Sequence, residues 1–454
     1  MEYVTDTKGT RYELEKELGT GGQGTVYAVK GGNLAVKLLR AKNDEARSQL
    51  SNRLSFLRRL DLASLCVARP IETLRPPHVG YVMERLKGMV PLRTLMSPPK
   101  GKSSVSWYIE SGGLRRRLRL LGRIAHIFSV LHGKSLAYSD PSPANIFVSE
   151  KTGAEEAWLI DADNLQYESS PGKSVYTVRY AAPEIFAKKS GVNTLSDVFA
   201  FSIIAFETLT LAHPFIGDMV HDGPPELEEE AFSGKLPWIF DTNDDRNRSS
   251  RENNKDLLVS PLLFKTFEKM FGAGRDDPCK RPGMSDLKER LFTAADATLM
   301  CPECRGTYFY NVPICPWCGK SATHYYLVMR FLLWDPEKKE YIKDYQGKEH
   351  VVSWAFSSRG ETFLVDRRLA LGTSESSMME PVLSVFFDGD TIRMKSLDEN
   401  EYRISFEGGQ KLVVGKKELS LDVKEIGICR IHFSDDDALH RVLYIRRIER
   451  SARS

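Results

Sequence analysis

Four short segments spread over residues 19–163 carry side chains that could do chemistry together. They read Gly19-Thr20-Gly21-Gly22-Gln23-Gly24, Ala35-Val36-Lys37, Asp140-Pro141-Ser142-Pro143-Ala144-Asn145 and Asp161-Ala162-Asp163. Glycine at 19, 21, 22 and 24 lets a hairpin backbone approach a polyphosphate with no Cβ in the way. Val26, two residues on, would cover one face of a base. Lys37 sits in an apolar run and needs an anionic partner, which the phosphates of ATP would supply. Asp140 and Asn145 lie on a proline-punctuated loop, suited to accepting a hydroxyl proton and to ligating magnesium respectively. Asp161 ends the apolar run Ala157-Trp158-Leu159-Ile160, where a carboxylate is costly unless it binds metal or is hydrogen-bonded. Each segment alone has a plainer reading: a glycine-rich hairpin, an outward-facing lysine, an Asp-rich turn. In this order they supply a phosphate cover, a fixed cation, a base and two metal ligands, the parts that phosphoryl transfer from ATP requires.

The elements that must hold these residues can be read from periodicity. Over 12–39 short apolar stretches are broken by glycines, a strand-and-hairpin pattern with Gly31-Gly32 as a turn. Leu50, Leu54, Leu57 and Leu60 recur at helical spacing over 44–60. A carboxylate from that helix should hold Lys37; Glu45 is the one glutamate between Lys37 and Glu72, with Gln49 as competitor. Further strands are expected over 67–74 and 79–84. Helical periodicity then takes over at 114–132, 194–211, 261–272 and 284–296, with His132-Gly133 as a helix end. The run Arg115-Arg116-Arg117-Leu118-Arg119 reads as a solvated helix face. The stretch 218–256, rich in Gly, Pro, Asp, Asn and Ser, reads as a partly mobile insertion.

Taken together, these residues make 10–295 resemble the protein kinase fold. Three further matches support it: Tyr180-Ala181-Ala182-Pro183-Glu184, Ser196-Asp197-Val198-Phe199, and Asp277-Pro278-Cys279-Lys280-Arg281-Pro282. The resemblance implies an α+β, two-lobed architecture and a bacterial-type Ser/Thr kinase of signalling or stress response. It further implies a buried Glu184–Arg281 ion pair, Met83 as gatekeeper, and a hinge at 84–86 where Glu84 and Leu86 meet adenine beside Val26 and Ala35. Catalysis would fall to Asp140, Lys37, Asn145 and Asp161, with Thr177 on the acceptor side. Ser169, Ser170, Ser174 and Tyr176 are autophosphorylation candidates. The sequence departs from the family at Tyr138-Ser139-Asp140, which lacks the usual arginine, at Ser142 in place of a lysine, and at Asp161-Ala162-Asp163. A pseudokinase scaffold that binds nucleotide and recruits partners is therefore the competing reading. A small-molecule phosphotransferase is a third, opposed by the intact Ala182-Pro183-Glu184.

Cys301-Pro302-Glu303-Cys304 and Cys315-Pro316-Trp317-Cys318 are two CxxC turns whose sulfurs can complete a tetrahedral S₄ site. Zinc in a closed structural ribbon over 298–321 is the expectation; rubredoxin-like iron takes the same ligands. Beyond it, 322–454 alternates apolar and polar residues as an all-β module, sandwich or barrel. There Trp334, Trp354, Phe386 and Phe387 read as core, and Asp435-Asp436-Asp437 with His440 as a polar loop. A regulatory protein could dock on the ribbon or this module. The net charge of +3, from 64 basic and 61 acidic residues, makes no case for a nucleic-acid or membrane partner. Without a secretion signal or a long apolar run, and with metal-type cysteine spacing, the expected location is the cytoplasm.

Overall fold

The computed structural model describes residues 2–168, 176–250, 258–321, 325–406, 409, 411–426, 429–434 and 438–450. Two compact units emerge: Met1–Lys100 with Arg119–Asn253 and Leu263–Glu289, and Gly101–Leu118 with Asn254–Leu262 and Arg290–Ser454. Ser169, Ser170, Ser174 and the Asp435–437 run lie outside the described residues.

In the first unit, β1 (Tyr3–Thr5), β2 (Arg11–Thr20), β3 (Gly24–Val29), β4 (Leu34–Leu39), β5 (Glu72–Thr73) and β6 (Gly80–Glu84) form one sheet, in the order β1-β2-β3-β4-β6-β5. Its register explains which side chains face the chemistry. Val4, Leu14, Val29, Val36, Leu74 and Val82 pack together on one face. Alternation therefore puts Val26, Lys37 and Tyr81 in one cross-strand row on the other face, and Ala28, Ala35 and Met83 in the next. Gly24 is set by this pairing, because a Cβ there would lie 2.2 Å from the Leu38 carbonyl oxygen. Around Gly19, Gly21 and Gly22 a Cβ would meet nothing within 4 Å among the described residues. Helix α1 (Asp44–Arg59) starts at Asn43, whose side chain accepts from the Ala46 amide, and buries Leu54 and Leu57.

The rest of this unit is mainly helical, with three small strand pairings. β7 (Met89–Pro91), β9 (Ile146–Ser149) and β10 (Ala157–Leu159) pair in the order β10-β9-β7, and β8 (Leu136–Ala137) pairs with β11 (Gln166–Tyr167). The Thr194–Thr210 helix is almost wholly buried and opens with a capping box at Asn193 and Ser196. Phe199 and Phe206 on that helix stack edge-on against Phe271, and Phe206 also meets Phe267 and Trp238. The 218–256 stretch, expected from its composition to be a partly mobile insertion, holds regular elements in its described part. It carries helices Asp218–Asp222 and Glu226–Phe232, and then sends Trp238, Ile239 and Asn247 into the core. Polar composition hid this, because two apolar anchors suffice to pin a segment that is otherwise exposed.

His213, in the same core, is held neutral by its partners. Its Nε2 meets the Arg179 carbonyl at 3.0 Å, and its Nδ1 accepts from the Phe215 amide at 3.2 Å. Burial, with Arg179 adding to it, pushes its pKa down to about 3. The unfolded chain binds a proton at this residue as pH falls through the ordinary value of about 6.5, whereas the folded chain does not. Stability contributed by the neutral ring is therefore full above that value and declines toward pH 3. At pH 5 the loss is about 2 kcal/mol. Melting curves at pH 7.5 and 5.0 should show a larger acid-induced drop for the parent than for His213→Gln; equal drops would refute the assignment.

In the second unit, β12 (Thr298–Met300) and β13 (Thr307–Phe309) make a hairpin. β14 (Tyr325–Asp335), β15 (Glu340–Tyr341), β16 (Val351–Ser358), β20 (Tyr402–Phe406), β21 (Lys411–Val414), β23 (Cys429–His432) and β24 (His440–Glu449) form a seven-stranded sheet. β17 (Glu361–Asp366), β18 (Pro381–Phe387), β19 (Thr391–Ser396) and β22 (Leu419–Asp422) form a four-stranded one. Inward residues of both sheets, among them Met329, Phe331, Val365, Val385, Met394 and Ile404, share one core, so the module is a sandwich.

Three sequence expectations change here. The arginine run is not a solvated face: Arg117 is fully buried, its guanidinium 3.8 Å from the Tyr108 ring centre and donating to Ser111 Oγ at 2.9 Å. Arg115 pairs with Glu361 and donates to Thr298 Oγ1 at 2.6 Å and to the Thr298 carbonyl at 2.7 Å. Trp334 and Phe387 are core, but Trp354 is 45% exposed because it lies on the outer face of β16. His440 is no loop residue; it is buried at the start of β24, with Nε2 2.9 Å from His432 Nδ1.

Candidate active site and four-cysteine centre

The loop between β8 and β9 delivers Asp140 and Asn145. It is fixed from beneath by Asp197, fully buried on the Thr194–Thr210 helix, which accepts from the amides of Tyr138 at 2.6 Å and Ser139 at 3.1 Å. Ser139 stands at a positive φ of 78°, a left-handed turn that the two amide bonds hold in place. Asp140 Oδ1 accepts from Thr177 Oγ1 at 2.8 Å, and Asp140 Oδ2 accepts from Asn145 Nδ2 at 3.2 Å. The Ile160 amide in turn donates to the Asn145 carbonyl at 2.9 Å, tying this loop to the strand that carries Asp161.

Asp161 follows β10 and also takes a left-handed conformation, φ 55°, from which a single helical turn, Ala162–Asn164, departs. The turn aims two carboxylates at one lysine: Lys37 Nζ is 3.1 Å from Asp161 Oδ1 and 2.7 Å from Asp163 Oδ1. Tyr81 donates to the same Asp163 oxygen at 2.9 Å. Burial pushes the Asp161 carboxyl up, with Lys37 opposing, and pushes the Tyr81 phenol well above its ordinary value. A second cation at Asp161 would favour its charged form further. An aspartate oxygen and an asparagine amide oxygen are the hard donors magnesium takes, so Asp161 and Asn145 fit such an ion.

Lys37, Asp140, Asn145 and Asp161 are thus linked through direct contacts and one shared loop. Val26, Ala35 and Met83 lie on the same sheet face as Lys37. β6 ends at Glu84, which is exposed; the Arg85 amide donates to the Asn33 carbonyl at 2.8 Å, and Leu86 is half-buried. Glu45 does not join the site. It is exposed in the first turn of α1, its carboxylate 3.4 Å from Gln49 Nε2, because the helix begins too close in sequence to Lys37 to turn that residue inward. Asp163 stands in its place, and the sequence signal for it was a second carboxylate two residues after Asp161. Further along, Arg281 holds Glu184 through two bonds of 2.7 Å and donates to the Leu195 carbonyl at 3.0 Å.

In the second unit, the four sulfurs of Cys301, Cys304, Cys315 and Cys318 lie within 4.8 Å of one another. The Cys301–Cys318 and Cys304–Cys315 separations are 3.8 and 3.7 Å, the edge length of a tetrahedron with metal–sulfur bonds near 2.3 Å. Both turns close alike: the Arg305 amide donates to the Cys301 carbonyl and the Gly319 amide to the Cys315 carbonyl, with φ of 64° and 69° at Arg305 and Gly319. Gly306 is required because a Cβ there would lie 2.5 Å from the Trp317 ring. Burial pushes the Cys304 and Cys315 thiols up, so thiolates at these positions call for a cation among them. The geometry fits a metal ion.

A family model described as a protein kinase domain matches residues 12–292. PknJ of Mycobacterium tuberculosis, a serine/threonine-protein kinase, is 25% identical over 240 residues, covering 48% of this chain and 38% of that protein. The serine/threonine-protein kinase pkn2 of Myxococcus xanthus is 26% identical over 331 residues, 69% of this chain and 35% of the relative. PknH of M. tuberculosis is 24% identical over 282 residues, 58% of this chain and 43% of the relative. The chain therefore spans well under half the length of these curated relatives.

Proposed function

We propose, from the premise that this chain belongs to the protein kinase family, that it transfers the γ-phosphate of ATP to serine or threonine hydroxyls of a protein. The observation that carries this reading is the Thr177–Asp140 contact of 2.8 Å, which sets the carboxylate toward the side where an acceptor hydroxyl would lie. Asp140 takes the hydroxyl proton as the acceptor oxygen bonds to phosphorus, the bond from phosphorus to the β–γ bridging oxygen breaks, and ADP leaves. Lys37 holds the α- and β-phosphates, the backbone at Gly19, Gly21, Gly22 and Gly24 covers them, and Val26, Ala35, Glu84 and Leu86 bound the adenine. Asn145 and Asp161 would hold magnesium, which when bound would neutralise charge on the phosphates.

Zinc is the proposed ion of the four cysteines, in a structural role, since sulfur fills every position. Thiolate ligands suit a reducing compartment, here the cytoplasm. A regulatory protein would meet this chain at the ribbon or the β module. The test of the function is incubation with γ-labelled ATP, magnesium and an acceptor protein, followed by acid hydrolysis. Label on phosphoserine or phosphothreonine is expected. Nucleotide binding with no label in any acceptor would make the protein a nucleotide-binding scaffold instead.

A further inference from the structure

Resting on that reading, we propose that Asp163 is the anchor that positions Lys37, so that the 161–164 turn, and not helix α1, assembles the nucleotide site. The Lys37–Asp163 pair is buried on both sides, and at 2.7 Å it is the shorter of the two lysine contacts. Asp161 is the proposed metal ligand and would be shared with the ion; Asp163 has no such competing duty. Tyr81 fixes the Asp163 oxygen with a bond of 2.9 Å from the same sheet row as Lys37.

Helix α1 offers no substitute. Its two acidic residues are spent in its first turn, Asp44 against Arg47 at 3.4 Å and Glu45 against Gln49, both exposed. The α1 residue that Asp163 attracts is Arg53, a half-buried cation of the same sign as Lys37. The charge pattern is thus inverted: the turn supplies the carboxylate and the helix a second cation.

The neighbouring residue extends the same logic. Asn164 Oδ1 accepts from Gln23 Nε2 of the glycine-rich segment at 3.0 Å, and its carbonyl accepts from Ser139 Oγ of the catalytic loop at 3.1 Å. One short turn therefore ties together the phosphate cover, the sheet lysine and the catalytic loop. Displacing α1 should leave the lysine in place.

Asp163 is a positioning residue, acting through Lys37, and binding reads its role without phosphate transfer. Calorimetric titration with MgATP should show Asp163→Asn weakened about ten- to a hundredfold, the span expected for a lost charge-assisted bond. Glu45→Gln should stay within about twofold of the parent. Asp163→Glu keeps the charge but displaces it, and should fall between the two; it decides the matter should the asparagine variant not fold, as judged by melting without nucleotide. Parental affinity in a folded Asp163 variant, or an equal loss in Glu45→Gln, overturns the proposal. A parent that binds MgATP but transfers nothing would instead overturn the proposed function, leaving this comparison intact.

Discussion

Replacing Asp140 by asparagine should lower γ-phosphate transfer about 10²- to 10⁴-fold, the range for loss of a positioned base, while MgATP affinity stays within about twofold. The asparagine is isosteric and keeps an acceptor for Thr177 Oγ1, so the loop held by Asp197 has no reason to move. What is lost is basicity and the Oδ2 acceptor of the Asn145 side-chain nitrogen, which keeps the Asp140 carbonyl at 3.2 Å as its second acceptor. Initial rates with an acceptor protein, measured beside a nucleotide titration of the same preparation, separate the two effects. A variant that transfers phosphate as fast as the parent would remove Asp140 from the mechanism. A variant that loses nucleotide affinity as well would show that the substitution disturbs the metal site through Asn145, whose side-chain nitrogen donates to both the Asp140 carboxylate and its carbonyl.

Removal of the ion from the four cysteines should have the largest effect on stability. Cys301 and Cys315 are fully buried among Leu299, Tyr308, Tyr326 and Phe356, so the ribbon and one face of the β-sheet share a small core built around the sulfurs. Apparent binding free energies of structural zinc sites are about 10–16 kcal/mol, far more than so few apolar side chains provide. A strong chelator, or Cys315→Ser, should therefore abolish the ordered ribbon and lower the melting temperature of the second unit. Elemental analysis should find one zinc per chain; visible thiolate-to-iron absorption would assign iron instead. Metal-free protein melting as the parent does would contradict the structural role.

How much of this is legible in the sequence depends on what fixes each residue. Residue type and spacing point to Lys37, Asp140, Asn145 and Asp161 as the proposed site, and the CxxC spacing to the four cysteines, which the fold brings within 4.8 Å of one another. The partner of Lys37 was not legible in the same way. Its identity depends on the left-handed backbone at Asp161, which swings Asp163 under the sheet, and no periodicity reports a single dihedral angle. Composition suggests Gly24 as a phosphate-facing glycine, but cannot show that the Leu38 carbonyl of the neighbouring strand also forbids a side chain there. Charge at 115–117 suggests solvent, but the Tyr108 ring nearby and Glu361, far along the chain, are what allow burial. Alternation showed that Trp354 lies in a strand but could not say that its face looks outward.

The account rests on Lys37, Asn145 and Asp161 gathering around a magnesium–triphosphate within reach of Asp140. ATP affinity measured with magnesium and with EDTA, for the parent and for Asp161→Asn, tests this most directly. Magnesium should tighten ATP binding to the parent at least about tenfold and change little for the variant, which has lost the charged ligand. An Asp161→Asn protein that still gains affinity from magnesium as the parent does would contradict the account.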